Sequence, residues 1–394
     1  MGASVLGVGM VGYAFMGAAH SHAWRSAARF FDLPLTPELT ALCGRNRAAV
    51  DAAADRMGWA SVETDWRALL RRDDIALVDV CTPGDTHAEI AIAALAAGKH
   101  VLCEKPLANS VAEAREMAAA AAHAAERGVR SMVGFSYRRV PALALARRLV
   151  ARGRIGEVRH VRASYQQDWL VDPEAPLVWR LRREAAGSGA LGDIGAHIVD
   201  MAQYLTGDRL TGVCALTETF VKERPLPVGA AAGGLAAGGV SAERGAVTVD
   251  DAALFLGRFA GGALASFEAT RFATGRKNAL RIELSGSLGA LAFDLESMNE
   301  LAYYDNTEDP ETAGFRRILA TEPTHPYVHA WWPPGHLLGY EHTFTHQVAD
   351  LVSDIAADRD PTPSFADGLN VQLVLDAVAR SADGGGAWQP IGSE

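Results

Sequence analysis

An apolar run, Ser4 to Val11, stops at Gly12-Tyr13-Ala14-Phe15-Met16-Gly17 and gives way to alanine-rich sequence ending near Phe31. Strand, glycine turn and helix in that order constrain the fold more than any other stretch. A strand that feeds a helix must cross over before it meets its next partner, which commits the chain to a parallel sheet covered on its faces. The literal Gly-x-Gly-x-x-Gly at Gly7, Gly9 and Gly12 lies within the strand, and no helix can start before Gly12. The working fingerprint is therefore Gly12, Ala14 and Gly17, with Phe15 and Met16 between them. Gly12 turns the chain, Ala14 replaces the second glycine, and Gly17 lets the helix approach the sheet, so that helix amides face a pyrophosphate.

The alternation continues with strands at Leu39 to Cys43, Ile75 to Cys81, His100 to Cys103 and Ser131 to Phe135, separated by helical stretches. It reads as a doubly wound parallel sheet, a Rossmann domain spanning residues 1–135. Loops at the carboxyl ends of such strands line the ligand crevice. Gly44 and Arg45 follow the second strand, Thr82, Pro83 and His87 the third, and Glu104 and Lys105 the fourth. Pro106 ends the fourth strand and disfavours a helical conformation at Lys105, so the ammonium is expected to project into the crevice. His87 reads either as a crevice residue or as a plain helix start. An acid after the second strand would bind a free ribose 2′-hydroxyl, whereas Arg45 suits a 2′-phosphate, so NADP is expected ahead of NAD, with both open.

A chain of 394 residues suits two domains. Its formal net charge of -10 argues against a nucleic-acid or anionic-membrane partner. The four cysteines form no CxxC pair, and neither a charged leader nor an apolar stretch of about 18 residues is present, so a reduced cytoplasmic protein is expected. Of 37 basic residues only Lys99, Lys105, Lys222 and Lys277 are lysines. Where such a chain keeps a lysine, a compact ammonium is what the site needs.

After residue 135 the pattern changes. Val158 to Tyr165 reads as a strand, and the loop that follows carries Gln167, Asp168, Trp169 and Trp179. Carboxylates, amides and aromatic faces in one loop suit a sugar, whose hydroxyls they bond and whose C–H surface they cover. Three glycines then lead into Leu191, Ile194, Ile198, Met201 and Leu205, the spacing of a helix running to Gly207. Asp193 and His197, four apart, would stack on one face of it, a carboxylate orienting an imidazole that works as a general base. A helix start in which Asp193 only complements the dipole is the plain alternative. Pro225 to Gly245 is Gly- and Ala-rich and reads as a mobile surface loop. Four runs between Val247 and Leu295 alternate with glycine turns as an antiparallel sheet, and its open face calls for a second copy, a homodimer or homotetramer. His342 and His346 have a zinc-feasible spacing but no third ligand nearby, so no metal is expected.

These pieces together resemble the Gfo/Idh/MocA family of glucose-fructose oxidoreductase and inositol dehydrogenase. The matching stretches are Gly12 to Gly17 followed by His20, Thr82-Pro83 with His87, Glu104-Lys105-Pro106, and the glycine-led segment with Asp193 and His197. The resemblance implies a second domain over residues 136–394, an α+β unit with a large open, mainly antiparallel sheet for substrate binding and oligomerisation. It implies hydride transfer between a nicotinamide cofactor and a ring hydroxyl of a sugar, inositol or anhydrosugar, with Lys105, Asp193 and His197 as the catalytic set. The run Tyr137-Arg138-Arg139 and the pair Asp168-Trp169 are similar to those of relatives acting on cyclic polyols or anhydrosugars such as levoglucosan, which adds Tyr137 and Arg138 to the expected substrate contacts, and the resemblance brings the approach to the helix at Gly339-Tyr340-Glu341-His342 close to the site, which adds His336 and Tyr340. The same fold also serves NAD-dependent glycoside hydrolases, and a non-catalytic dinucleotide sensor is the remaining alternative.

Overall fold

Ser4–Val11 forms β1, the strand around which the first sheet is built. In the computed structural model, which describes residues 4–228 and 239–392, six strands pair in the order β3 (Val62–Glu63), β2 (Leu35–Cys43), β1, β4 (Leu77–Val80), β5 (His100–Cys103) and β6 (Ser131–Val133). Every pairing is parallel. The crossovers run through α1 (Phe15–Phe30), α2 (Arg47–Met57), α3 (Trp66–Leu70), α4 (His87–Ala96) and α5 (Val111–Ala125). The order reverses between β1 and β4, so the crevice for a ligand opens at the carboxyl ends of those two strands. Two-residue β3 leaves no periodicity to read in a sequence.

The chain divides into two units, residues 4–136 with 340–372, and residues 137–228, 239–339 and 373–392. The sequence reading assigned everything after 135 to the second domain. The return of 340–372 has a packing cause: α9 (Tyr340–Ala356) lays Phe344, Val348, Leu351 and Val352 into the core that Trp24 and Ala27 of α1 share with β1. The chain leaves this unit along α10 (Phe365–Asp383).

The second unit is a nine-stranded sheet in the order β16 (Arg316–Leu319), β15 (Glu300–Asp305), β14 (Gly289–Asp294), β13 (Ala279–Gly286), β7 (Val158–Gln166), β12 (Leu264–Thr270), β11 (Ala252–Phe259), β8 (Leu210–Glu218) and β17 (Gln389–Pro390). Only β7 and β12 run parallel. One face is covered by α6 (Pro141–Ala151) and α8 (Ala196–Thr206), with the short α7 (Arg183–Ala186) between them in the chain. On the other face Leu216, Leu254 and Leu256 are each more than half exposed. That face is a concavity of about 1050 Å³, lined by these leucines and, several strands away, by the salt-bridged pairs Arg162–Glu283 and Arg281–Asp294.

The expected loop over 225–245 is a two-stranded antiparallel ribbon where it is described, β9 (Glu223–Pro227) with β10 (Val240–Ala246). Residues 229–238 lie outside the described residues. Arg224 anchors the ribbon: fully buried, it donates to the carbonyls of Leu170 and Asp172, contacts that the surrounding Gly-Ala composition conceals. Among the described residues no helix is long and apolar enough to cross a membrane.

Candidate active site

In the first unit the expected cofactor residues gather at one edge, because parallel strands end together. Gly12 has φ +105°, and a Cβ there would stand 2.5 Å from the Cys81 carbonyl oxygen. A Cβ at Gly17 would stand 2.3 Å from the Gly12 oxygen. Only glycine allows this turn, and α1 then starts at Phe15 with no side chain capping its amides. A cradle this shallow, ending in unpaired helix N–H groups, fits the pyrophosphate of a dinucleotide. Gly44 and exposed Arg45 end β2. By contrast Gly7 and Gly9 lie within β1.

His87 is buried, and its two ring nitrogens face backbone oxygens, Nδ1 the Pro106 carbonyl at 3.0 Å and Nε2 the Thr82 carbonyl at 2.9 Å. It therefore ties the Thr82-Pro83 loop to the turn that carries Lys105. Beneath Lys105 lies a network that the sequence did not announce. His20 sits between two buried carboxylates, Asp79 at 2.9 Å from Nδ1 and Glu104 at 2.9 Å from Nε2. Trp24 Nε1 also donates to Asp79, and the Lys105 backbone N–H donates to Glu104. Burial is the largest single influence on His20 and lowers its pKa, but the charge and hydrogen bonds of Asp79 and of Cys81 together outweigh it and hold the imidazole well above its ordinary range. His20, Asp79 and Cys81 are also the one trio of metal-ligating types gathered among the described residues. Their polar atoms are spent on one another, and burial pushes the Cys81 thiol up, which opposes the thiolate a metal would need.

In the second unit the expected helix from Leu191 starts differently. Leu191–Gly195 is a π-helical turn, and α8 begins at Ala196. Asp250 sets this start: its carboxylate accepts from the N–H groups of Gly189 and Leu191 at 2.7 and 2.8 Å, and its carbonyl accepts from Ala190. A Cβ at Gly189 would stand 1.7 Å from that carbonyl oxygen. Gly189→Ala is thus expected to cost about 2 kcal/mol, read as a lower thermal midpoint, whereas Gly314→Ala, with nothing within 4 Å of its Cβ, should leave the midpoint unchanged. Equal midpoints for the two variants would contradict the role given to Asp250.

The π turn presents Asp193 half-buried, and α8 presents His197 buried. The Tyr137 ring lies against the His197 ring at 4.7 Å between centroids, tilted by 35°. Behind Asp193 stands Arg271, fully buried, 3.7 Å from the carboxylate and donating to the Asp250 carbonyl at 3.1 Å. Its guanidinium also lies 5.5 Å from the Trp169 ring centre. Arg271 was missed by sequence reasoning, and the signal available was an arginine in phase with Ala265, Phe267 and Ala269, on the apolar face of an alternating run.

The remaining expected contacts divide. Gln167 and Trp169 sit together, Trp169 Nε1 donating to Gln167 Oε1 at 2.9 Å. Asp168 instead accepts from Lys277 Nζ at 2.7 Å and from the Gly275 N–H, and the lysine holds its carboxyl below the usual range. Arg138 is spent on buried Asp200 of α8, to which it donates from Nε and Nη2. Trp179 carries the Arg180 guanidinium over its ring, and exposed His336 bonds the Pro333 carbonyl. Tyr340 lies in the first unit, stacked on Phe15 beside the fingerprint turn, and so accompanies the cofactor residues.

Comparison with known proteins agrees with this fold. Residues 6–135 match the model of an oxidoreductase family with an NAD-binding Rossmann fold, and residues 143–292 that of the GFO/IDH/MocA C-terminal domain. A levoglucosan dehydrogenase from Pseudarthrobacter phenanthrenivorans is 42% identical over 380 residues, covering 96% of each chain. A solved oxidoreductase domain protein from Kribbella flavida is 69% identical, with a TM-score of 0.94 over 99% of this chain and 100% of its own. A levoglucosan dehydrogenase solved in complex with NADH and levoglucosan is 39% identical, with a TM-score of 0.92 over the same shares. The chain therefore belongs to the Gfo/Idh/MocA family of oxidoreductases, with an NAD-binding Rossmann fold in its N-terminal part.

Proposed function

We propose that this protein is an NAD-dependent dehydrogenase of a ring hydroxyl in anhydrosugars and related cyclic polyols, levoglucosan first among them. The observation that carries the reading is the base site itself, His197 packed on Tyr137 with Asp193 backed by a buried guanidinium. NAD, when bound, supplies the hydride acceptor. The ring C–H bond breaks, its electron pair leaving with the hydrogen, while a carbonyl forms from the C–O bond. His197 takes the hydroxyl proton, Lys105 donates to the oxygen as negative charge grows, and Asp193 orients the imidazole and holds a neighbouring hydroxyl. The test is a panel of anhydrosugars, inositols and free sugars with NAD, followed at the nicotinamide absorbance. NADH accumulating in step with sugar oxidised is the expected result, and it separates a dehydrogenase from a cofactor-dependent glycosidase. Silence across the panel would overturn the reading.

The relative solved with NADH supports NAD as the working cofactor, with Arg45 admitting NADP through its 2′-phosphate. Arg45→Asp is expected to lower kcat/KM with NADP about tenfold or more and to leave the value with NAD within about threefold. An unchanged preference would remove Arg45 from the cofactor site.

The open sheet face supports a homo-oligomer. Leu216 and Leu254 face each other across β8 and β11 there, and a self-complementary patch of this kind closes as a two-fold dimer, or a tetramer built from such pairs. Light scattering of Leu254→Asp should show a smaller species than the parent, and a parent already monomeric would exclude the assembly. Buried free thiols at Cys43, Cys81 and Cys103 support a reducing, cytoplasmic location.

A further inference from the structure

Nothing acidic closes β2. Gly44, Arg45 and Asn46 follow the strand, so the carboxylate that a Rossmann fold commonly sets there against the adenosine ribose is missing. Two acids of the neighbouring β3 and its loop, Glu63 and Asp65, lie near enough to act on Cys43 at that end. Each already serves another group. Glu63 accepts from Arg72 at 3.4 Å, and Asp65 caps α3 by accepting from the Arg67 N–H at 3.0 Å. The Asn46 side-chain oxygen caps α2 in the same way, accepting from the Ala49 N–H at 3.1 Å.

What covers the end of β2 is a ring from the fingerprint turn. A Cβ on Gly44 would stand 2.0 Å from Cε1 and 2.6 Å from Cδ1 of Tyr13. Gly44 has no positive φ, so the ring and not the backbone is what demands glycine there. Tyr13 is half-buried, its ring packed on the core around β1 and β2. Among the described residues none hydrogen-bonds its hydroxyl.

We propose that Tyr13 takes the place of the missing acid: its ring fills the space that an acid side chain on residue 44 would occupy, and its hydroxyl bonds the free 2′-hydroxyl of the adenosine ribose. The inference rests on NAD as the working cofactor. Its pyrophosphate belongs at the start of α1, and the adenosine extends from there toward the end of β2, between Tyr13 and Arg45. A phenol can donate to a hydroxyl as well as accept from it. Being uncharged, it does not repel a 2′-phosphate as a carboxylate would, so Arg45 can still admit NADP.

The test is fluorescence titration of the full chain with NADH and with NADPH, which reads binding without turnover. Tyr13→Phe keeps the ring and is expected to raise the Kd for NADH about fivefold, with the Kd for NADPH within about twofold. Gly44→Asp restores the usual acid, yet its Cβ must displace the ring, so it too should weaken NADH about fivefold or more. Adding Tyr13→Ala to Gly44→Asp vacates the space for the acid and should bring NADH binding back to within about threefold of the parent. An unchanged Kd for NADH in Tyr13→Phe, equal losses for NADH and NADPH, tighter NADH binding by Gly44→Asp alone, or losses that add in the double variant would overturn the inference. Should a Gly44 variant fail to fold, Tyr13→Phe decides it. A parent that binds no NADH would overturn the cofactor reading as well, a result distinct from a parent that binds it no better than Tyr13→Phe does.

Discussion

The His197→Ala enzyme is expected to bind NAD as its parent does and to oxidise sugar about a hundredfold to ten-thousandfold more slowly. The size of the loss follows from what the imidazole supplies. A secondary hydroxyl holds its proton tightly at neutral pH, and hydride departure builds positive character on a carbon whose oxygen still carries that proton. On the proposed reading His197 removes it from a buried position on α8, with the Tyr137 ring packed against the imidazole at 4.7 Å. Lys105→Met should show a loss of similar kind, since a thioether matches the ammonium stem in length and lacks its charge. Measuring NAD affinity by fluorescence titration alongside turnover separates a lost base from a lost cofactor. Turnover within threefold of the parent in His197→Ala would remove the histidine from the chemistry.

How far such a site can be read from a sequence depends on how far apart its parts lie along the chain. Gly12, Ala14, Gly17 and Lys105 were legible because each role is fixed by residues next to it: a turn, a helix start, a proline that ends a strand. Asp193 and His197 were legible through four-residue spacing, although the π turn that presents Asp193 was not, because it is set by Asp250 from 57 residues away. Arg271 was invisible for the same reason. Its neighbour Trp169 reaches it through the pairing of β7 with β12, and Asp193 reaches it through the π turn packed on β12. Arg138 shows the converse. Its likeness to relatives rests on a local run, Tyr137-Arg138-Arg139, whereas its buried partner Asp200 lies 62 residues further along the chain. Tyr340 was offered as a substrate contact because in the family the approach to this helix passes close to the site, and nothing in residues 136–340 signals that the chain returns there to the first unit.

The second large effect concerns stability and its dependence on pH. His20 is held between Asp79 and Glu104 with all three groups buried. Removing one partner of a buried ion pair strands the other charges and costs roughly 3–5 kcal/mol. His20→Gln should therefore unfold at a clearly lower temperature near pH 6. Because the folded imidazole has a pKa raised well above the ordinary 6.5, folding binds a proton that the unfolded chain has already lost. The stability this contributes is complete below about pH 6.5 and is lost as the pH rises through the folded value. The gap between parent and variant should accordingly be widest in mild acid and narrow on the alkaline side. A gap that stays constant, or widens with rising pH, would mean that the ring is not held charged.

One labelling experiment bears most directly on hydride transfer from a sugar ring. Levoglucosan deuterated at its ring carbons, incubated with NAD and the intact enzyme, should give NADH carrying one deuteron in an amount equal to the ketosugar formed. Unlabelled NADH, or cleavage of a glycoside with no net NADH, would contradict a dehydrogenase that moves hydrogen straight from the ring carbon to its cofactor.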